Sequence, residues 1–299
     1  MARSVPASHL AIQMSEQPDS LTVSQQFGTV RASTTVAVTS GHFTRRVRRT
    51  IMKIIAIANQ KGGTGKTSTA VHLGAALVRA GMSVLLVDLD PQASLTEYFL
   101  DPADQAATVY NLLIEGTPLK PLQLGDTISL LPANIDLAAA EVLLPAKTNH
   151  ESRLSRFLKA YEYDYCLIDC PPSLGVLTRN ALTAARAVII PVSTEKMAER
   201  TVKLILSTID DVKESELNPT LKVWRILPTL YNSREREDRQ TLEELTATHH
   251  ELLYRAPVLK RTSYKKAVRR RMDIGDLDHE QGRYWDTLAS TLIAESEVF

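Results

Sequence analysis

The sequence predicts an α/β fold of three layers, doubly wound around a mostly parallel sheet. Three observations carry this. From Met52 onward short apolar runs alternate with segments of helical period, a glycine-rich loop joins the first run to the first helix, and aspartates close two later runs. The runs are Ile54 to Ala58, Val84 to Val87, Cys166 to Ile168, Ala187 to Ile190 and Val223 to Leu227. Thr67 to Arg79 has helical period, and Gly81 follows it where a left-handed cap is wanted. No internal repeat or low-complexity linker interrupts the chain after Met52, so residues 52–299 read as one domain.

Residues 1–51 are different in kind. They are rich in Ser, Thr, Val and Ala, nearly free of acids, and close with Arg45, Arg46, Arg48 and Arg49, without sustained period. They read as a disordered extension. The composition also resembles an organelle transit peptide, and a natural start at Met52 is the alternative reading.

Composition bounds the rest. A chain of 299 residues, 44% of them hydrophobic, can fill a sizeable core. A formal net charge of +1 means that any nucleic-acid contact must come from a local patch. Cys166 and Cys170 are no disulfide framework and read as small core residues in a reducing compartment. No stretch approaches the roughly 20 apolar residues of a membrane span.

The chemistry concentrates in Asn59-Gln60-Lys61-Gly62-Gly63-Thr64-Gly65-Lys66-Thr67-Ser68, directly after a buried strand and before a helix. Glycines let backbone N–H groups turn inward around phosphate oxygens, and the helix amino terminus adds free donors and a favourable dipole. Residues Lys61 to Ser68 therefore read as an ATP-binding phosphate loop, with Lys66 on the β and γ phosphates and the Thr67 hydroxyl on a magnesium ion. The common expression asks for glycine at position 60, where this chain has Gln60, and Lys61 is an additional lysine at the loop's start. Asp88 and Asp90 follow one strand and Asp169 another, which places all three at the carboxyl edge, where open α/β sheets bind ligands. Phosphoryl transfer asks for a metal, an oriented water and charge neutralisation there.

The segments Lys61 to Thr67, Val87-Asp88-Leu89-Asp90-Pro91-Gln92 and Tyr163 to Ser173 together resemble the ParA/MinD deviant Walker ATPases, and among them the Soj-like ParA proteins. The resemblance runs from about Met52 to the carboxyl terminus. It implies a P-loop NTPase of the SIMIBI type that hydrolyses Mg-ATP. It implies that Lys61 is the signature lysine reaching the ATP of a second subunit, that Asp90 positions the attacking water, and that Asp88 and Asp169 support magnesium. By the same resemblance Pro228 and Thr229, within Leu227 to Tyr231, lie near adenine. The expected partners are a second copy in an ATP-dependent homodimer, non-specific DNA and a ParB-like centromere-binding protein, in the nucleoid-associated cytoplasm.

The chain departs from that pattern in two places. Pro191-Val192 leads into Ser193-Thr194-Glu195 where relatives tend to carry a glutamine, and Ala256 to Arg261 lacks a late Glu-Ala-Pro. These departures lean towards a plasmid or secondary replicon over a housekeeping chromosomal role. The late segment also holds the clearest nucleic-acid signal. With Thr262 or Ser263 as cap, Lys260, Arg261, Lys265, Lys266, Arg269 and Arg270 form a basic stripe suited to phosphates, while Tyr264, Ala267 and Val268 turn to the core.

Rival readings fare worse. A MinD-like membrane ATPase would close in a basic amphipathic helix, but this sequence closes on Glu295, Glu297 and Phe299. An iron–sulfur relative would need exposed cysteine ligands, and an amide or biotin-precursor synthase a substrate pocket that the sequence does not mark. A positioner of non-DNA cargo shares every nucleotide motif. No amino-terminal helix-turn-helix is read, so autoregulation of an operon is not expected.

Overall fold

The computed structural model describes residues 51–297; residues 1–50, read above as an extension, lie outside them. The central strand β1 (Lys53–Ile57) leads through the glycine-rich loop into α1 (Lys66–Arg79), and β2 (Val84–Asp88) into α2 (Ser94–Phe99). A short antiparallel pair follows, β3 (Leu122–Gln123) with β4 (Ile128–Leu131), then α3 (Ala140–Leu143), α4 (Arg153–Leu158) and β5 (Tyr165–Asp169). After α5 (Val176–Ala184) come β6 (Ala187–Ser193), α6 (Ala198–Glu214), β7 (Lys222–Thr229), α7 (Arg236–His249), α8 (Thr262–Arg270) and α9 (His279–Glu295). The seven strands lie in the order β3-β4-β2-β5-β1-β6-β7, parallel except at β3.

Alternation builds the three layers. In β1, Ile55 and Ile57 face the core shared with α1, α2 and α9, while Ala56 and, just beyond the strand, Ala58 face the core shared with α5 and α6. Every residue of β2, β5 and β6 is buried, as strands covered on both faces must be. Gly74 lets α1 approach closely: a β-carbon there would sit 3.1 Å from Leu86 Cδ2. The cysteines are free and buried as expected, and burial pushes both thiols up.

The five strands read from the sequence are all present: β1 keeps its length but starts and ends one residue earlier, and the other four are longer by one to three residues. β4 was missed because it is four residues long and carries Ser129 among its apolar neighbours. The closing helix α9 is a core element: Trp285, Leu288 and Leu292 are buried, and Glu295 accepts from Trp224 Nε1 (2.7 Å) and Arg225 Nη2 (2.6 Å). No helix of the described residues is long and apolar enough to cross a membrane.

Candidate active site

β1 lies between β5 and β6, and β5 in turn adjoins β2, so the loops leaving β1, β2 and β5 share the carboxyl edge of the sheet. The loop after β1 needs glycine where it turns: Gly63 and Gly65 have φ of 73° and 85°. Its own side chains and Thr229 of β7 brace it. Asn59 Nδ2 donates to the Pro191 carbonyl (2.7 Å), and Asn59 Oδ1 accepts from the Lys61 amide (3.1 Å). Thr64 Oγ1 donates to the Lys61 carbonyl (3.3 Å), and Thr229 Oγ1 donates to the Thr64 carbonyl (2.8 Å).

The charged groups meet at the start of α1. Lys66, only 6% exposed, donates from Nζ to the Lys61 carbonyl (3.1 Å). Burial lowers its pKa, opposed chiefly by the Asp169 carboxylate. Thr67 Oγ1 donates to Asp169 Oδ2 (2.6 Å), whereas Asp169 Oδ1 is buried without a hydrogen-bond partner. Asp88 stands in register beside Asp169. Its Oδ1 accepts from the Asp90 amide (3.1 Å), and its Oδ2 from the Thr96 amide (2.8 Å) and hydroxyl (2.7 Å). Burial raises Asp88 to about 7, against those hydrogen bonds. It raises Asp169 well above the usual carboxylate range too, with the neighbouring Asp88 charge adding. A cation near these acids offsets the cost of burying two carboxylates side by side.

The remaining predicted residues divide. Asp90 is half-buried and accepts from the Gln92 amide (2.9 Å) in the turn that opens α2. Lys61 pairs with Glu195 of its own chain and reaches Ser193 Oγ (3.4 Å). Thr229 acts on the loop backbone, and Pro228 is buried in β7 with its carbonyl accepting from Val258 N (2.8 Å). Sequence reasoning did not single out Asn59, Thr96 or Glu195. The only local signal was a polar residue just beyond a strand or inside a helix turn, which most often means a cap. The donor set suits magnesium, which takes one or two carboxylates and otherwise waters and phosphates: one hydroxyl and one unpartnered carboxylate oxygen adjoin the loop.

An AAA domain family model matches residues 52–223. The sporulation initiation inhibitor protein Soj of Bacillus subtilis (strain 168) is 39% identical over 221 residues, covering 72% of this chain and 87% of Soj. The chromosome partitioning protein ParA of Myxococcus xanthus (strain DK1622) is 44% identical over 203 residues, 66% of this chain and 71% of that one. The chain belongs to the ParA/MinD family of ATPases. A solved structure described as cobyrinic acid a,c-diamide synthase from Mycobacterium smegmatis, with bound ATP analogue and magnesium, is 38% identical, with a TM-score of 0.71 over 83% of this chain and 97% of that one.

In this ParA-family chain a cleft of about 450 Å³, lined by Arg79, Asp273 and Asp286 among others, opens at the far end of α1. That end lies about 20 Å from Lys66, so the cleft does not adjoin the phosphate loop. The late basic segment forms α8 with two corrections. Neither Thr262 nor Ser263 caps it: Arg261 occupies the cap position without a side-chain cap bond, and Ser263 Oγ instead donates to Asp278 Oδ2 (2.9 Å). Val268, expected to face the core, is 51% exposed. Ala267 is the buried centre of the stripe, with half-buried Tyr264 three residues before it, and Val268 lies about 100° round the helix from Ala267. Lys260, Lys265, Lys266, Arg269 and Arg270 are exposed, and their side chains have no hydrogen-bond or ion-pair partner among the described residues. Arg261 is exposed but pairs with Glu280 (2.8 Å).

Proposed function

We propose that this ParA-type partitioning ATPase segregates a plasmid or chromosome by an ATP-dependent cycle of dimerisation and non-specific DNA binding in the nucleoid, reset when a ParB-like partner stimulates hydrolysis. Partition by a ParA-type ATPase that uses Mg-ATP is the coarse function; the steps of the cycle are the finer reading. The observation that carries it is the pairing of a braced phosphate loop with a separate, unpaired cationic helix face.

Lys66 and the loop amides from Gly62 to Ser68 hold the phosphates, and Thr67 with Asp169 would hold a magnesium ion, which when bound would supply positive charge to the transferred phosphoryl group. Asp88 supports the metal side from behind, since both its oxygens fix the turn that aims Asp90. Asp90 orients the attacking water. Lys61 leaves Glu195 to reach a second subunit's ATP; a partly exposed ion pair of that kind is worth only about 0–1 kcal/mol and opposes the move weakly. Pro228 and Thr229 border the adenine side. Lys260, Arg261, Lys265, Lys266, Arg269 and Arg270 contact DNA phosphates.

Salt-dependent binding of the purified protein to random-sequence duplex, with ATP, ADP or no nucleotide, tests this. Binding that requires ATP and weakens steeply with salt is expected. Binding indifferent to nucleotide, or none, would overturn the DNA step and favour a positioner of non-DNA cargo.

A further inference from the structure

Two helices start at the nucleotide site, and both run to the far end of α8. α1 begins with Lys66 and brings His72 six residues, or about 9 Å, along its axis. α2 is gripped at Thr96 by Asp88 and presents Tyr98 and Phe99 two and three residues later. Beyond α8 the chain turns through Arg271, at φ 52°, into Met272 and Asp273. α2 holds this turn: Tyr98 Oη donates to the Met272 carbonyl (2.6 Å), and Arg271 Nη1 to the Phe99 carbonyl (3.4 Å). α1 holds it as well, since the Asp273 carboxylate pairs with Arg79.

His72 lies where these elements meet. Its ring is 1% exposed and lies 5.3 Å from the ring of Tyr264 in α8, 5.9 Å from that of Trp285 in α9 and 6.2 Å from that of Tyr98 in α2. Trp285 Nε1 donates to Tyr264 Oη, and Tyr264 Oη to Gln281 Oε1, both at 3.0 Å, so the cage is fixed by its own bonds. His72 Nδ1 faces Asp273 Oδ1 at 3.4 Å, and each of these buried atoms lacks a hydrogen-bond partner. Burial, with Arg79 adding, pushes the imidazole down to about 3, so it is neutral and one ring nitrogen is free to donate.

We propose that His72 and Asp273 are positioning residues that make the DNA-contacting face of α8 sense the nucleotide held at the start of α1. The proposal rests on the reading of α8 as a DNA surface. Two buried, unsatisfied atoms at 3.4 Å form a contact with two discrete states. A shift of α1 towards Asp273 by about half an ångström closes a hydrogen bond, and a shift away leaves His72 Nδ1 and Asp273 Oδ1 desolvated and unpaired. Either state moves the turn at Arg271 to Asp273 and with it the end of α8. α2 carries a second input from Asp88 to the same turn through Tyr98.

The test measures affinity of the full chain for a random-sequence duplex with ATP and with ADP, in wild type, His72→Leu, Asp273→Asn, the double variant and Tyr98→Phe, alongside ATP affinity. The ratio of the two DNA affinities should fall about fivefold or more in either His72→Leu or Asp273→Asn and no further in the double variant, with ATP affinity within about twofold of wild type. Tyr98→Phe keeps the ring and loses only the hydroxyl, so it should lower the ratio part of the way. A wild-type ratio in these variants, or an equal loss with both nucleotides, makes the cluster merely structural and overturns the proposal. Should His72→Leu not fold, an unchanged ratio in Tyr98→Phe overturns it alone. A wild type that binds DNA equally with ATP and ADP defeats the DNA reading itself, an outcome distinct from a nucleotide-dependent wild type whose variants behave likewise.

Discussion

The phosphate loop and the basic helix α8 both begin from short, lysine-bearing runs, but their charges are held in opposite ways. In the loop, Lys66 is buried against the Lys61 carbonyl, Thr67 at the start of α1 donates to Asp169 of β5, and the Asp169 carboxylate stands beside that of Asp88 in β2. On α8 the cations stand in solvent, and only Arg261 has an ion-pair partner among the described residues. A buried group is fixed by its surroundings, so its removal is felt as a near all-or-none loss; an exposed cation contributes through the summed field, so its removal is felt in proportion.

Lys66→Ala tests the first half of that contrast most severely. Loss of the buried cation proposed to hold the β and γ phosphates should weaken ATP binding by roughly a thousandfold in equilibrium titration with a fluorescent analogue. Unchanged affinity would remove the loop from the site. Asp90→Ala should separate the functions of the same edge: turnover falls by roughly a hundredfold while ATP affinity stays within about twofold, because the half-buried Asp90 side chain accepts from the Gln92 amide and, among the described residues, has no hydrogen bond to the loop. Loss of ATP binding in that variant would assign Asp90 to the metal and move the water-orienting role to Asp88.

The second half predicts graded effects. Lys265→Ala with Lys266→Ala should flatten the slope of log DNA affinity against log salt by about 1.8, or 0.9 per lost contact, equally for all sequences. Arg261→Ala should do less, since Glu280 already neutralises it. Equal effects from all three would erase the distinction between paired and unpaired cations. The remaining effect is on stability and concerns His72, whose ordinary value of 6.5 is lowered to about 3 by burial. Between those values the unfolded chain binds the extra proton, so this contribution to stability is full above 6.5 and declines as pH falls towards 3, by up to about 1.4 kcal/mol per pH unit. In denaturant titrations, wild type should lose stability more steeply than His72→Leu over that window. Parallel curves would show that the imidazole is not buried neutral.

The order of strand and helix, the phosphate loop and the aspartates at strand ends were legible because each is a local rule: alternation needs two faces, a tight phosphate turn needs glycine, and a ligand edge needs polar strand ends. Chain-distant partners were not. Thr229 reaches the loop from 165 residues away, Glu195 meets Lys61 across 134, and His72 in α1 faces Asp273 in the turn beyond α8. Nor did the charge pattern of α8 settle which way Val268 points, since a nine-residue helix with one buried alanine can be rolled without disturbing its periodicity. The sequence by itself determined the fold class and the nucleotide chemistry, because both follow from which residues are neighbours along the chain. Only the tertiary structure decided which groups brace the loop, which cations stand free and where α1, α2 and α8 meet, because those depend on packing between elements whose contact no local pattern encodes.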